Sequence, residues 1–297
     1  MTSAPGPQAA VDLLVGPATQ PNWFTRTILR LPVWPADEVA EFRSARRSLV
    51  GETAILLGLS LGASALWAII AIVDSLTKPA PLNEQTTSIN NSVVWDRPWL
   101  DLIYQLYYIV TPLVAVVLAL FLLAQLRRPR EGAFGVMGLD CSRPWRDLGW
   151  SFVLAGAIGI PGLALYVASV ALNLNLNVST ANLVGAWWTI PVYILRAAMN
   201  GALEEIVMVG YLLTRWRQAG WNTWAAIAVS ALIRGTYHLY QGFGGFIGNA
   251  IMGAVFGWFF AKTKRVWPLV VAHTILDIVS FVGYPLLGVV MGRLGLG

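Results

Sequence analysis

The chain has two histidines, and both stand at helical spacing from a charged residue: Arg234 and His238, His273 and Asp277. Each pair is spaced i,i+4, so its members share one helix face. A third segment carries the adjacent carboxylates Glu204 and Glu205, with Arg196 and Asn200 on the Glu204 face and Glu205 about 100° round the helix. All three segments are apolar enough to cross a membrane. Ionisable groups in a bilayer interior are costly and mark a functional site by default. Two Glu, two His, one Asp and one Arg suit hydrolysis by activated water, or a proton relay for ion transport. Two adjacent carboxylates in a low dielectric are not both ionised cheaply, which suits a general base poised near neutral pH. A carboxylate four residues from His273 is placed to hydrogen-bond the imidazole and fix its tautomer, or to bind the same metal. The competing structural reading is a set of interhelical ion pairs. Such pairs seldom repay their desolvation, and three polar pairs holding all the histidine weigh against it.

The elements that must carry these groups follow from composition. Of 297 residues, 57% are hydrophobic and 12% charged, against roughly 25% charged in a soluble domain. The mean hydropathy is +0.63. This describes an all-α integral membrane protein, a polytopic helical bundle. A bilayer core takes about 20 apolar helical residues. About seven transmembrane helices meet that length, at roughly 53–73, 102–125, 150–172, 187–213, 222–240, 243–261 and 266–290. Tryptophans such as Trp95, Trp99, Trp145, Trp187 and Trp221 flank them as an interfacial belt. The pI near 9.6 does not indicate nucleic acid, because the basic residues punctuate apolar spans and form no stripe. They fall instead in segments 1–52, 126–149, 214–221 and 262–265, while Lys78, Arg97 and Arg293 are the exceptions outside the spans. That bias predicts a multi-pass cell (plasma) membrane protein, the inner membrane of a bacterium, with its N-terminus cytoplasmic and C-terminus outside.

The expected organisation is a cytoplasmic arm over 1–48, three helices with their loops over 49–185, and a catalytic membrane core over 186–291. The arm contains a short interfacial helix around Trp23–Leu31, cut by Pro32 and Pro35. The N-terminus lacks the basic and apolar regions of a cleaved signal. The single Cys141 rules out an intrachain disulfide. Gly244/Gly248 and Gly253/Gly257 have the small-xxx-small spacing of a close helix-packing face. A His-Glu-x-x-His zincin helix, paired membrane aspartates and a Gly-x-Ser-x-Gly elbow are all absent, so water activation is favoured over a serine nucleophile.

The order Glu-Glu, a helix ending in His, then His-x-x-x-Asn/Asp resembles the CPBP (Abi) family of intramembrane proteases. That family includes type II CAAX prenyl endopeptidases and bacteriocin-immunity proteins. The resemblance covers about residues 186–282. Its first motif is usually Glu-Glu-x-x-x-Arg; here Val209 takes the Arg place and Gly210-Tyr211-Leu212 follow. Its second is usually Phe-x-x-x-His; here Arg234 precedes His238. The third matches as His273 and Asp277. A guanidinium lost at Val209 would then be resupplied by Arg234 from a neighbouring helix.

The resemblance implies a peptidase acting on a membrane protein or lipidated peptide at the bilayer. Glu204, Glu205, His238, His273 and Asp277 would be the catalytic set, with Arg234, Asn200 and Arg196 supporting it. Glu204 would activate water, His238 would position it or stabilise the oxyanion, and Glu205 would orient its neighbours. Two mechanisms stay open: a divalent metal such as zinc on His238, His273 and Glu204, or a metal-free Glu/His mechanism. Two other functions stay open too, a non-catalytic scaffold or immunity-type protein and a proton-coupled transporter. Helix depth raises one tension. Counted from the cytoplasmic ends of the expected spans, Glu204 lies about ten residues in, His273 about six and His238 about seventeen, which separates groups that must meet.

Overall fold

The computed structural model describes residues 46–125, 133–179 and 186–286. Residues 1–45 of the expected arm, with its interfacial helix, and the last residues of the expected core, 287–291, lie outside them. The described chain is helical apart from two three-residue strands. In chain order it runs α1 (Arg46–Gly58), α2 (Leu61–Thr77), β1 (Thr86–Ser88), α3 (Pro98–Gln125), the single turn α4 (Ala133–Val136), α5 (Pro144–Ala171) and β2 (Asn177–Ser179). It continues through α6 (Thr189–Glu204), a π-helical segment (Glu205–Tyr211), α7 (Leu212–Gln218), α8 (Thr223–Tyr237), α9 (Phe243–Thr263) and α10 (Trp267–Ile278). A second π-helical segment, Val279–Gly283, follows α10. The strands pair in parallel, Thr86 with Asn177 and Ser88 with Ser179, and tie two loops together.

Among the described residues four helices are long and apolar enough to span a bilayer: Pro98–Ala124, Pro144–Ala171, Phe243–Thr263 and Trp267–Leu286. The pair α1–α2, bent by 54° between Gly58 and Leu61, makes a fifth if it counts as one span. The other two expected spans are helical but interrupted. The 187–213 segment is 16 residues of α-helix broken by the π turns, and α8 has only 15 residues, roughly 22 Å at 1.5 Å each. The outward faces of the long helices are apolar and unpartnered, as at Val110, Val114 and Val117 on α3 and Ile160, Leu163 and Val167 on α5.

The interrupted helices lie inside. α6 packs between α3 and α10, α8 between α2 and α9, and α5 lies against both α9 and α10. Ile109 of α3 meets Trp188, Val192 and Met199 of the α6 segment, while Tyr193 and Ala197 meet Phe281 and Val282. Small residues let the backbones close. A Cβ at Gly201 would lie 2.8 Å from the Val270 carbonyl and the Thr274 hydroxyl of α10. The two expected glycine pairs divide between neighbours: Gly253 and Gly257 face Ala231 and Ile227 of α8, and Gly248 faces Leu165 of α5.

Turn chemistry sets the starts of the inner helices. Asn222 caps α8 by accepting from the Trp224 N–H at 2.8 Å, after Gly220 turns the chain at φ +85. The start of α10 is tucked inside the protein. The Val266 N–H donates to the Met137 carbonyl at 2.6 Å, and buried Arg265 donates to Asp147 and Asp140. The Ser142 hydroxyl and N–H, with Arg265, hold the Asp140 carboxyl down at about 2.

The Gly201 contact yields a test. Gly201→Ala places a methyl against backbone and should cost about 1–3 kcal/mol by overpacking. Gly156→Ala, with nothing within 4 Å, should be neutral or stabilise by up to about 1 kcal/mol through helix propensity. Thermal unfolding in detergent measures both.

Candidate active site

Glu204 closes the last α-helical turn of α6, and Glu205 opens the widened π turn. A π turn inserts one extra residue and re-aims the side chains beside it; such bulges are frequent at functional sites. Carbonyls of this turn are taken up from outside and from further along: Ser230 donates to Met208 O at 2.7 Å and Thr214 to Gly210 O at 2.6 Å. Both glutamates end up facing α8. There a single nitrogen, Nη2 of Arg234, lies 2.6 Å from Glu205 Oε1 and 3.2 Å from Glu204 Oε2. The guanidinium also stacks over the Phe256 ring at 5.6 Å and is 1% exposed.

His273 of α10 joins from the other side, its Nδ1 2.7 Å from Glu205 Oε1 and 3.0 Å from Arg234 Nη2. A guanidinium has no acceptor, so Glu205 is the group that accepts. The Nδ1–H of His273 therefore donates to Glu205, and in the neutral ring Nε2 is left with a lone pair. The contacts of Glu204 gather on Oε2. The buried Tyr237 hydroxyl donates to it at 2.7 Å, Arg234 lies at 3.2 Å, and His238 Nε2 stands off at 3.6 Å. That last distance is too long for a direct hydrogen bond, so a water bonded to both atoms would sit beside the pair and not between them. His238 Nε2 is buried and without a partner among the described residues, as are Glu205 Oε2 and the Nε and Nη1 of Arg234. Buried orphans of this kind call for water or a bound group.

The expected residues are brought together with one exception, Arg196, and with Asn200 and Asp277 at the edge. Asn200 donates to Asp277 Oδ2 at 3.0 Å, linking α6 to α10 at the edge of the cluster. Asp277 Oδ1 is 3.8 Å from His273 Nε2, so the partner that fixes this imidazole is Glu205 and not the carboxylate four residues on. Arg196 is not in the cluster. It lies two turns from Glu204 along α6, bonds Gln105 at 2.5 Å and sits over the Tyr108 ring of α3. The i,i+8 spacing shares a face but separates the groups by about 12 Å along the axis.

The depth tension is also resolved. The helix that carries Glu204 continues to Gln218 and α8 starts at Thr223, so Glu204 and His238 are at matching depth. His273 reaches them because the start of α10 is inset beneath Met137, Gly138 and Asp140.

Sequence reasoning missed Tyr237 and Gln241, which contact Glu204 and His238. Tyr237 carried a signal, a phenol one residue before an intramembrane histidine. The π turns carried none in residue type.

The residues do not fit a metal in this arrangement. Among the described residues no three His, Cys, Asp or Glu side chains converge as ligands. The cation position between the two glutamates is held by Arg234, and the donor face of His273 Nδ1 is turned to Glu205.

The fold and site together define a polytopic α-helical membrane protein with a buried acid–imidazole–guanidinium cluster at the junction of three helices. Residues 186–279 match the family model described as type II CAAX prenyl endopeptidase Rce1-like, in agreement with the CPBP resemblance of the motifs. Every residue of the cluster falls in that range, and the first 185 residues lie outside it. No curated protein and no solved structure matches the chain.

The cluster makes a stability prediction. Arg234→Met strands Glu205 as a buried charge and should cost about 3–5 kcal/mol. Adding Glu205→Gln to it removes the stranded charge and should recover a large part of that loss. Denaturant or thermal unfolding of the two variants beside wild type reads the difference. Equal loss in both would show that the ion pair is not what the region depends on.

Proposed function

We propose that this protein is an intramembrane endopeptidase of the CAAX-protease type, with water activated by Glu204. The observation that carries this reading is the meeting of Glu204 Oε2 with the His238 imidazole across a 3.6 Å gap, inside an apolar bundle. The match of 186–279 to a peptidase family supports it.

In this mechanism Glu204 takes a proton from a water held beside its carboxylate and His238, and the resulting hydroxide attacks a peptide carbonyl. His238 stabilises the oxygen that becomes negative. Glu204 then returns the proton to the leaving amine. Glu205 and Arg234 act indirectly: Arg234 offsets the charge of both glutamates, and Glu205 orients His273. Asn200 and Asp277 bound the site on the α10 side. The reaction runs without a metal ion, since Arg234 supplies the positive charge at the position a cation would need.

The substrate is a membrane protein or a lipidated peptide whose scissile bond enters from the bilayer. The α6–α7 helix and α8 complete a bundle of about seven helices as its inner members. The protein resides in the cell membrane, N-terminus inside and C-terminus outside, as the basic loops indicate. One observation favours a non-catalytic scaffold or immunity-type role instead. Neither the roughly 430 Å³ cavity lined by Ser48, Glu52, Ile55 and Leu118 nor the 280 Å³ cavity beside Trp145 and Trp150 reaches the cluster.

Quantitative proteomics of membrane-protein fragments, in cells carrying wild type or Glu204→Gln, separates the two. The peptidase reading expects fragments that vanish with Glu204→Gln, a loss of at least about a hundredfold in cleavage. Fragment sets that do not differ remove it. Purified active enzyme should retain its rate after exhaustive chelation, with elemental analysis showing no stoichiometric zinc. A rate that falls on chelation and returns with zinc would overturn the metal-free mechanism alone.

A further inference from the structure

Tyr237 ends α8, and His238 follows at φ −97 and ψ 0, at the head of the short turn Leu239–Gln241. His238 is therefore held by a turn, not by a helix, and its ring orientation needs another support. Gln241 provides one: its Nε2 lies 3.3 Å from His238 Nδ1 and 3.0 Å from the Tyr240 hydroxyl. An amide NH₂ has two hydrogens and no acceptor. One serves Tyr240 and the other serves His238, so Nδ1 of His238 accepts. In the neutral ring the proton then sits on Nε2, the atom that faces Glu204 Oε2.

We infer that Gln241 is a positioning residue that fixes His238 as the Nε2–H tautomer, opposite to that of His273. One imidazole thus presents a donor to the gap beside Glu204, and the other presents a lone pair. His273 is set by a carboxylate that accepts, His238 by an amide that donates.

The turn that carries Gln241 is itself clamped from a distant part of the chain. The Leu176 N–H donates to the Gln241 carbonyl at 2.9 Å, and the Phe243 N–H to the Leu174 carbonyl at 2.8 Å. The buried Asn175 side chain accepts from the Gly245 N–H at 3.0 Å. Gly242 at φ +115 lets the chain pass, since a Cβ there would lie 2.6 Å from the Asn175 backbone. The loop before β2 is thereby coupled to the orientation of an imidazole 63 residues later in the chain than Asn175.

The consequence for catalysis rests on the peptidase reading, but the tautomer does not. Because the chain holds only two histidines, ¹⁵N-histidine labelling of the full protein in nanodiscs gives two imidazoles to resolve, assigned with His273→Gln or His238→Gln. Solid-state ¹⁵N spectra at neutral pH should show His238 as Nε2–H and His273 as Nδ1–H. Gln241→Glu replaces the donor by an acceptor and should convert His238 to Nδ1–H while His273 stays put. Gln241→Met, which neither donates nor accepts, should give a mixture. A wild-type His238 already in the Nδ1–H form, or a His238 signal unmoved by Gln241→Glu, overturns the inference.

In a cleavage assay Gln241→Glu should lower kcat at least about tenfold with KM within about twofold, and Gln241→Met should fall between it and wild type. Spectra that behave as expected in a protein that cleaves nothing would leave the Gln241 assignment standing and remove the peptidase reading.

Discussion

A permanently charged guanidinium sits with almost no exposure inside an apolar bundle, and everything near it is arranged around that fact. Arginine cannot shed its proton to escape the cost of burial. Arg234 must be met by negative charge, and the two glutamates meet it through one nitrogen at 2.6 and 3.2 Å. The same interaction removes the repulsion between adjacent carboxylates. It also accounts for the position of His273, which reaches the cluster by donating to the glutamate that Arg234 has already anchored. Removal of any one partner exposes the others to the desolvation cost that the group shares.

Charges meet in this way only because backbones come close and helices deviate from regularity. Gly201 brings α6 onto α10, and Gly253 lets α9 lie beside the Arg234 stem. The π turn after Glu204 places two sequential carboxylates within reach of one nitrogen on a neighbouring helix. A second π turn follows Asp277. The irregular turns therefore flank the acidic residues of the cluster on both α6 and α10. The long helices α3 and α5 carry no π turn and pack against α6 and α10 from outside.

Much of this was legible in residue types. Hydropathy identified the long helices, because a span of ordinary length and uniform apolarity has few other readings. Helical spacing placed Arg234 with His238 and indicated that three separate segments would share a site. Spacing failed where distance along an axis mattered, as for Arg196, which shares the Glu204 face yet belongs to Gln105 and Tyr108 on α3. It failed again at His273, where the i,i+4 rule pointed to Asp277 and a tertiary partner proved closer. The expected count of about seven goes beyond the long helices because α6 and α8 are apolar in sequence but short or broken in structure, and residue type does not report a π turn. Depth was misjudged for a related reason: helix ends are set by Gly220, the Asn222 cap and the inset of α10, none of which shifts the hydropathy profile.

The two adjacent glutamates, chemically identical, are made unequal by their surroundings. Glu205 is fully buried, and its bonded oxygen is held by a guanidinium and an imidazole N–H. Glu204 is one-tenth exposed at its side chain, receives a neutral phenol at 2.7 Å and has the guanidinium further off at 3.2 Å. It alone of the pair faces the unpartnered Nε2 of His238. In the proposed peptidase the acid that faces the imidazole is the one placed to take up a proton, while its neighbour keeps the geometry. The division into base and anchor in that proposal follows from which partners each bonded oxygen faces.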